Sequence, residues 1–286
     1  MEVGSIPIQN IQRYYGSRGT MKIEYQETTS DLQTRIDIHS KYGGRDIDQW
    51  MLDLLQLQKG NMILDVGCGS GKQCFSYHKY LEGNAEIYGG DVNAKLLAQA
   101  REANAKIGNP IRFGEVNFNQ TLPFEDNRFD MVSCCFAIYY AENIPFTIAE
   151  MHRVLKNGGR LFTSGPMPTN KQLFYDIIRE ATGKSIPPMP GSSRYSTEIY
   201  GAMKSLFRSV DINLFENPLS FDSVEPFVAY TRASLAEDRK LWTGLFTGKD
   251  DFNRVMDQIT AAASRRLAQD GKLVMTKVVG GFVATK

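Results

Sequence analysis

The most constraining feature of this 286-residue chain is an alternation of short apolar segments with helical segments that begins at Met62. Five segments have the length and apolar content of buried strands. These segments are 62–66, 86–89, 111–113, 129–136 and 160–164. Strands connected through helices pair in parallel, by right-handed crossovers. The alternation therefore predicts a parallel sheet with helices on both faces.

The segments on either side of this alternation predict a helical beginning and a mixed end. Residues 1–60 have weak helical periodicity, which predicts an N-terminal helical cap. Further strands are predicted at 210–215 and 272–285, the second with a break at Gly280–Gly281. The helical stretch at about 221–270 lies between them and has the size of a lid.

A glycine-rich turn connects the first predicted strand to the first predicted helix, where Leu64–Gly71 reads LDVGCGSG. Glycines there permit a tight turn and close approach of a ligand to the backbone, although such turns are often purely structural. The spacing G-x-G-x-G differs from the G-x-G-x-x-G that binds a dinucleotide pyrophosphate. Asp65 precedes the turn, and its carboxylate disfavours a pyrophosphate but can orient a ligand with a positive amino group.

A second acidic residue, Asp91, ends the second predicted strand. A carboxylate at this position of a βαβ unit is well placed to accept hydrogen bonds from both hydroxyls of a ribose. The alternative is that it caps the helix that begins after Asn93, because Asp and Asn are favoured at helix N-caps. The occurrence of the glycine turn together with this acid favours ribose binding.

Four segments together resemble one enzyme family. They are Leu64–Gly71, Gly90–Val92, Leu122–Asp130 and Glu150–Gly159. Through them, residues 60–165 resemble the class I S-adenosylmethionine-dependent methyltransferases, in the small-molecule branch of the methyltransferase type 11 kind. Asn157 departs from the family pattern, since proline is more usual there.

The resemblance implies a Rossmann-like, doubly wound α/β fold with a mostly parallel sheet of about seven strands, the last one antiparallel. It implies a helical cap at 1–60 and a methyltransferase domain at 61–286, with the lid at 221–270. S-adenosylmethionine would donate a methyl group to a small organic acceptor and leave as S-adenosylhomocysteine. The implied cofactor-binding residues are Asp65, Gly67, Cys68, Gly69, Gly71, Gln73, Asp91, Val92, Asn117, Phe118 and Cys135.

Candidate residues for the acceptor site follow the fourth predicted strand or lie in the N-terminal region. Tyr139 and Tyr140 lie at the carboxyl edge of the sheet, where ligands bind in open α/β folds, but a packed aromatic pair explains them equally well. His39 is a candidate base or cover of the donor site, and a structural histidine is the alternative. Further candidates are Tyr14, Tyr15, Arg194, Arg232, Trp242 and Phe246.

The composition excludes some classes of protein. With 33 basic and 32 acidic side chains, the formal net charge is +1, which argues against a nucleic-acid partner. The beginning of the chain lacks the features of a secretory leader, and no apolar stretch reaches the length of a membrane span. The four cysteines and three histidines show no metal-site spacing. We therefore expect a cytoplasmic protein with free thiols, no metal and no membrane contact.

Three other functions remain as alternatives. A nicotinamide-dependent oxidoreductase shares the glycine turn and Asp91, but the glycine spacing and Asp65 argue against it. A methyltransferase that acts on protein or RNA is disfavoured by the balanced charge and by Cys135–Ile138, which does not resemble Asn-Pro-Pro-Tyr. A binding protein without enzymatic activity would leave the predicted lid unexplained.

Overall fold

In a computed structural model, the described residues are 29–187, 190–237, 243–246, 248 and 251–286. The strands in this part of the chain are β1 (Met62–Val66), β2 (Glu86–Asp91), β3 (Arg112–Glu115), β4 (Phe129–Cys135), β5 (Leu155–Pro166), β6 (Ser209–Phe221) and β7 (Leu273–Thr285). The helices are α1 (Thr29–Tyr42), α2 (Ile47–Leu55), α3 (Lys72–Tyr80), α4 (Ala94–Ala105), α5 (Ile144–Val154), α6 (Gln172–Thr182), α7 (Pro190–Arg194), α8 (Tyr200–Leu206), α9 (Glu225–Glu237) and α10 (Asp251–Asp270).

The strands form one seven-stranded sheet in the order β3-β2-β1-β4-β5-β7-β6. The first five strands are parallel to one another, whereas β7 is antiparallel to both β5 and β6. The predicted fold class, with about seven strands and the last one antiparallel, is confirmed. Because the order reverses at β1 and β4, their carboxyl ends border the crevice in which doubly wound folds bind ligands.

The predicted break in the last strand is wrong, because β7 continues through both glycines. The glycines instead allow neighbouring side chains to approach the strand. A Cβ at Gly280 would lie 2.7 Å from Met167 Sδ, and a Cβ at Gly281 would lie 2.8 Å from a ring carbon of Trp50. On the other side of the sheet, α7 begins at Pro190 and continues through a π-helical turn into α8.

The buried apolar residues form three clusters. One lies between the sheet and α5 and α8, and a second lies on the opposite face under α2 and α3. The third, here named the hairpin cluster, comprises Ile38, Phe174, Ile177, Ile178, Leu219, Phe221, Phe227, Tyr230, Leu235, Leu245, Val255, Met256, Ile259, Ala262, Ala263, Leu273 and Met275. Burial of this third set packs α1, α6, α9 and α10 onto the outer part of the β6–β7 hairpin.

The β6–β7 hairpin extends past the carboxyl end of β5. Val279 of β7 pairs with Pro166, the last residue of β5, and the preceding residues of β7 pair only with β6. The hairpin cluster therefore lies beyond the carboxyl edge of the parallel strands.

Candidate active site

The glycine turn follows β1 and lies against the end of β2. The amide groups of Gly67 and Cys68 both donate to the carbonyl oxygen of Gly90, at 2.7 and 3.0 Å. Gly67 has a φ of +72°, and a Cβ there would lie 2.6 Å from Cβ of Ala137. Only glycine fits this position without movement of its neighbours.

The last glycine of the turn determines how closely α3 approaches β3. Gly71 is the N-cap of α3 and has a φ of +83°. A Cβ at Gly71 would lie 2.7 Å from the ring of Phe113, which belongs to β3. Gly69, with a φ of +54°, lies between these two glycines and turns its amide toward Asp91.

Asp65 is a buried carboxyl group with few partners. Its Oδ1 accepts a hydrogen bond of 2.6 Å from the hydroxyl of Ser133, and its Oδ2 lies 3.7 Å from Sγ of Cys74. Burial raises the pKa of Asp65 to about 7; the negative charge of Asp91 also raises it, and the bonds from Ser133 and Cys74 oppose this rise. A cationic group at this position would favour the ionised carboxylate.

Ser133 is a site residue that the sequence analysis missed. It lies in β4 directly opposite Asp65 in the strand pairing, and it is fully buried. The sequence does contain an indication of this role, because Ser133 lies within the apolar run 129–136 and a buried hydroxyl requires a hydrogen-bond partner.

Asp91 lies beside the glycine turn. Its Oδ2 accepts from the amide of Gly69 and its Oδ1 accepts from the amide of Asn93, both at 2.8 Å. The N-cap of α4 is Asn93, whose side chain accepts from the amides of Lys95 and Leu96. Each oxygen of Asp91 retains lone-pair capacity for a further donor such as a hydroxyl.

Three of the implied cofactor-binding residues, Val92, Asn117 and Phe118, lie after β2 and β3. Val92 is 58 % exposed. Oδ1 of Asn117 accepts from the amide of Asn119 at 2.9 Å, which leaves its amide group as a donor. The ring of Phe118 lies 3.7 Å from the position of a Cβ at Gly67, so Phe118 borders the glycine turn.

Asp48, in the first turn of α2, brings a third carboxylate to the same region, and the sequence analysis missed it. Its Oδ2 forms an ion pair of 2.8 Å with Lys72, the first residue of α3. Its Oδ1 is buried and has no hydrogen-bond partner within the described residues. The sequence gives little indication that Asp48 is a site residue, because acidic residues are common in the first turn of a helix, where they interact favourably with the helix dipole.

Cys135 is the last residue of β4, and Asp48 is close enough to act on it electrostatically. Burial raises the pKa of its thiol, and the negative charges of Asp65 and Asp48 raise it further. The hydroxyl of Tyr77 lies 4.0 Å from its sulfur. A thiol with a raised pKa is a poor nucleophile, so Cys135 is suited to lining a site and not to covalent catalysis.

Gln73, in the first turn of α3, is partly exposed.

Tyr139 and Tyr140 lie in a short 3₁₀ turn that follows β4. Their ring centroids are 4.8 Å apart. The guanidinium of Arg194 donates to the carbonyl oxygens of Tyr139 and Ala141, at 2.8 and 2.9 Å. Arg194 therefore holds the tyrosine turn in place.

The other acceptor-site candidates lie elsewhere. His39 packs edge-on against Tyr230, with ring centroids 5.6 Å apart, at the hairpin cluster. Arg232 is exposed above the ring of Phe252, and Phe246 stacks on the same ring. Tyr14, Tyr15 and Trp242 lie outside the described residues.

Within the described ranges, no group of three or more His, Cys, Asp or Glu side chains is arranged to hold a metal ion. In that same part of the chain, no helix has both the length and the apolar content that crossing a membrane requires.

The seven-stranded sheet and the glycine turn define the fold of class I methyltransferases. The YcgJ protein from Bacillus subtilis has this fold, with a TM-score of 0.54 and 17 % identity over 84 % of this chain and 97 % of that one. Phosphoethanolamine N-methyltransferase 2 from Haemonchus contortus, solved with S-adenosyl-L-methionine, has a TM-score of 0.52 and 16 % identity over 91 % of this chain and 57 % of its own.

Residues 64–163, about a third of the chain, match the family model of the methyltransferase domain. The ubiquinone/menaquinone biosynthesis C-methyltransferase UbiE of Stutzerimonas stutzeri is 32 % identical over 50 % of this chain and 56 % of its own length. The demethylmenaquinone methyltransferase of Staphylococcus aureus is 34 % identical over 45 % of this chain and 55 % of its own. The chain thus spans about half the length of these relatives. The predicted family resemblance is confirmed.

Proposed function

We propose that this chain is an S-adenosylmethionine-dependent methyltransferase that acts on a small organic acceptor. The observation that carries this proposal is the position of three carboxylates, Asp48, Asp65 and Asp91, around a glycine turn whose first and last glycines have no room for a side chain. A ligand that joins a positive amino group to a ribose suits such a site. A dinucleotide, with its negative pyrophosphate, does not.

The residues present fit S-adenosylmethionine part by part. In our proposal Asp65, Gly67, Cys68, Gly69, Gln73 and Cys135 surround the methionine part, and Gly71 allows α3 to approach. Asp91 accepts the ribose hydroxyls, and Val92, Asn117 and Phe118 border the adenine. The raised pKa of Asp65 supports its role, because a buried carboxyl without a charged partner gains most from a cationic ligand.

When bound, S-adenosylmethionine supplies a methyl group activated by a positively charged sulfur. The work of the protein is then to orient the acceptor in line with that methyl group and to exclude water. We propose that Tyr139 and Tyr140 contact the acceptor, on a turn that Arg194 positions. Burial lowers the pKa of His39 to about 2, which makes it a weak base, so we favour a packing role for it.

We infer that the acceptor is small because helices lie around the carboxyl edge of the sheet, where it would bind. We propose that α1 and α2 form a cap (1–60) on the methyltransferase domain (61–286) and that α9 and α10 form the lid (221–270). The relatives named as ubiquinone and menaquinone methyltransferases support a small organic acceptor. Four free thiols support a reducing, cytoplasmic location. A protein or RNA acceptor would require an open edge instead of these helices.

The test is calorimetric titration with S-adenosylmethionine, S-adenosylhomocysteine, NAD and NADP. We expect binding of the adenosyl ligands and not of the nicotinamide cofactors. In Asp91→Ala the affinity should fall about 100-fold, since two hydrogen bonds to a charged group contribute about 1.5 kcal/mol or more each.

The control is Asp222→Ala, which removes an exposed carboxylate outside the site. It should bind like the wild type. Binding of a nicotinamide cofactor alone, or adenosyl binding that Asp91→Ala leaves unchanged, would contradict the proposal.

A further inference from the structure

The strand β6 forms one edge of the sheet and is long for an edge strand. It has 13 residues and lies last in the strand order, next to β7. The strand at the opposite edge, β3, has four residues and is charged at both ends, by Arg112 and Glu115. Short, charged edge strands resist pairing with another chain, whereas a long edge strand is open to it. The edge at which a further strand can add is therefore β6.

The hydrogen bonds of β7 show which residues of β6 face the open edge. The amide of Lys286, directly after β7, donates to Gly159 on the β5 side at 3.0 Å. The carbonyl oxygen of Val278 accepts from Met167 on the same side at 3.1 Å. The even-numbered residues of β7 thus bond toward β5, and its odd-numbered residues bond toward the odd-numbered residues of β6. The even-numbered residues of β6 therefore direct their amide and carbonyl groups away from β7.

The side chain of Arg45 agrees with this orientation and marks one end of the open edge. Its guanidinium donates to the carbonyl oxygen of Glu216 at 2.8 Å. Two residues further along β6, Pro218 has no amide hydrogen to offer a neighbouring strand. Within the described residues, the backbone groups open to a further strand are thus those of Val210, Ile212 and Leu214.

The side chains of the same three residues form an apolar surface. Val210, Ile212 and Leu214 lie on one face of β6, because alternate residues of a strand share a face. Ile212 and Leu214 are each 41 % exposed, and Val210 packs against the core cluster under α5 and α8. Grouped exposed apolar residues mark an interaction surface. The edge thus offers open backbone groups and apolar side chains at the same place.

The sequence of this stretch is complementary to itself. When a second β6 is aligned antiparallel with Ile212 opposite Ile212, Val210 lies opposite Leu214. In the same alignment Arg208 lies opposite Glu216. All five residues share one face, and opposite charges directly across two strands stabilise the pairing. The apolar centre of the stretch is therefore flanked by an ion pair on each side.

The same alignment avoids unfavourable pairs. Asp211, the charged residue between Arg208 and Glu216, lies opposite Asn213, so like charges do not face each other. Arg208 and Glu216 are both exposed, which leaves them accessible to a partner. This match of the stretch with its own reversed sequence favours a second copy of the chain as the partner.

We propose that β6 pairs with β6 of a second copy, antiparallel about a two-fold axis at Ile212, so that the two sheets become one. Val210, Ile212 and Leu214 exchange backbone hydrogen bonds with the second copy. A two-fold dimer requires a surface that is complementary to itself, and this edge meets that requirement. The dimer goes beyond the proposed methyltransferase function and does not depend on it.

The first test is sedimentation velocity of the full chain over a range of concentrations. We expect a species of twice the 32.2 kDa mass of the chain. Ile212→Lys should weaken the dimer at least about tenfold, since it places like charges opposite each other and removes apolar side chains from the interface. The control is Ile107→Lys, which puts the same charge on a 50 % exposed residue beyond α4 and should associate like the wild type.

A charge exchange tests the alignment itself. Arg208→Glu and Glu216→Arg should each weaken self-association about tenfold at low ionic strength, because both ion pairs become like-charge pairs. A mixture of these two variants should associate as tightly as the wild type, since every facing pair is again opposite in charge. Variants that were merely misfolded would not recover on mixing.

Residue-resolved amide hydrogen exchange locates the interface. In the wild-type dimer the outward amides of Val210, Ile212 and Leu214 should exchange slowly. In Ile212→Lys the amides of Val210 and Leu214 should exchange fast, whereas those of Asp211 and Asn213, which bond toward β7, should remain slow.

A wild type that is monomeric at every concentration, or a dimer that Ile212→Lys leaves unchanged, would overturn the proposal. A dimer in which the outward amides exchange fast would place the interface elsewhere, and this result would also overturn it. Slow exchange of those amides in a monomer would assign the edge to another segment of the same chain instead of a second copy.

Discussion

At the scale of single residues, Asp65 shows how position determines the chemistry of a carboxyl group. Asp48 and Asp91 each have a cationic or amide partner in hydrogen-bond range, whereas Asp65 is held by one hydroxyl and one thiol in a buried place. Its pKa of about 7 reflects that difference. The carboxyl group of Asp65 therefore changes charge near neutral pH, and its ionised form is the one that a cationic ligand would bind.

We expect affinity for S-adenosylhomocysteine to depend on pH through Asp65. A ligand with a positive amino group binds the ionised carboxylate, so affinity should rise with pH and level off above about pH 7. Below this value it should fall by up to about tenfold per pH unit. Calorimetry from pH 5.5 to 8.5 in two buffers of different ionisation enthalpy would measure both affinity and proton release.

Asp65→Asn is the matched control, because it keeps the shape and removes the titration. Its affinity should be lower above pH 7 and nearly independent of pH. Between about pH 4 and 7 the folded protein keeps a proton on Asp65 that the unfolded chain has lost. The free energy of unfolding of the wild type should therefore decrease as the pH rises through this range. A wild-type affinity that is flat across pH 7 would contradict this role of Asp65.

At the scale of elements, the glycine turn is shaped by contacts between segments as well as by its own backbone. Its three glycines all have positive φ, but they differ in surroundings. Gly67 lies against Ala137 after β4, and Gly71 lies against Phe113 of β3, whereas Gly69 has only ordinary contact with Leu96. The turn follows β1 and bonds to β2, and it thus also contacts β3 and the segment after β4.

We expect Gly67→Ala to destabilise the protein by about 2–4 kcal/mol, because it adds a steric clash to an unfavourable φ. Gly60→Ala is the control: its φ of +86° is similarly unfavourable, but a Cβ there would have no atom within 4 Å. It should lose only about 1 kcal/mol. Urea unfolding of both variants would measure the difference, and equal losses would show that the contact with Ala137 is unimportant.

The sequence predicted most elements because their signals are local. The bounds of β1 and the start of α4 agree with the apolar run 62–66 and with the Ala-rich stretch from Ala94. The expected break at Gly280–Gly281 was wrong because glycine in a strand also serves to admit bulky neighbours, here Tyr195 and Trp50. That distinction depends on which side chains pack there, and a local pattern does not contain it.

At the scale of the whole molecule, the chain has two regions with different roles in the proposed reaction. The parallel strands carry the glycine turn and its carboxylates. The hairpin cluster carries α1 of the proposed cap and both helices of the proposed lid, α9 and α10. Asp48 of α2 belongs to the first region, since α2 packs under the sheet and its first turn contacts Lys72.

We expect S-adenosylhomocysteine to slow amide hydrogen exchange in residues 29–55 as well as in the turn 67–71, because Asp48 borders the proposed ligand. Exchange in the central strands β4 and β5 should stay slow and unchanged, which provides an internal control. Mass spectrometry of peptides from the free and bound protein would measure this. Unchanged exchange across 29–55 would contradict closure of the N-terminal helices over the ligand.

The sequence alone predicted the parallel sheet and the glycine turn, and it indicated Asp65 and Asp91 as candidate site residues. Each of these features depends on neighbouring residues along the chain. Only the tertiary structure brought Ser133 to Asp65, Asp48 to Lys72, and His39 to Tyr230. These contacts join residues from different elements, and strand register and helix packing decide them. One physical effect of these contacts, a carboxyl pKa near 7 at Asp65, arises only when the folded chain excludes water from that group.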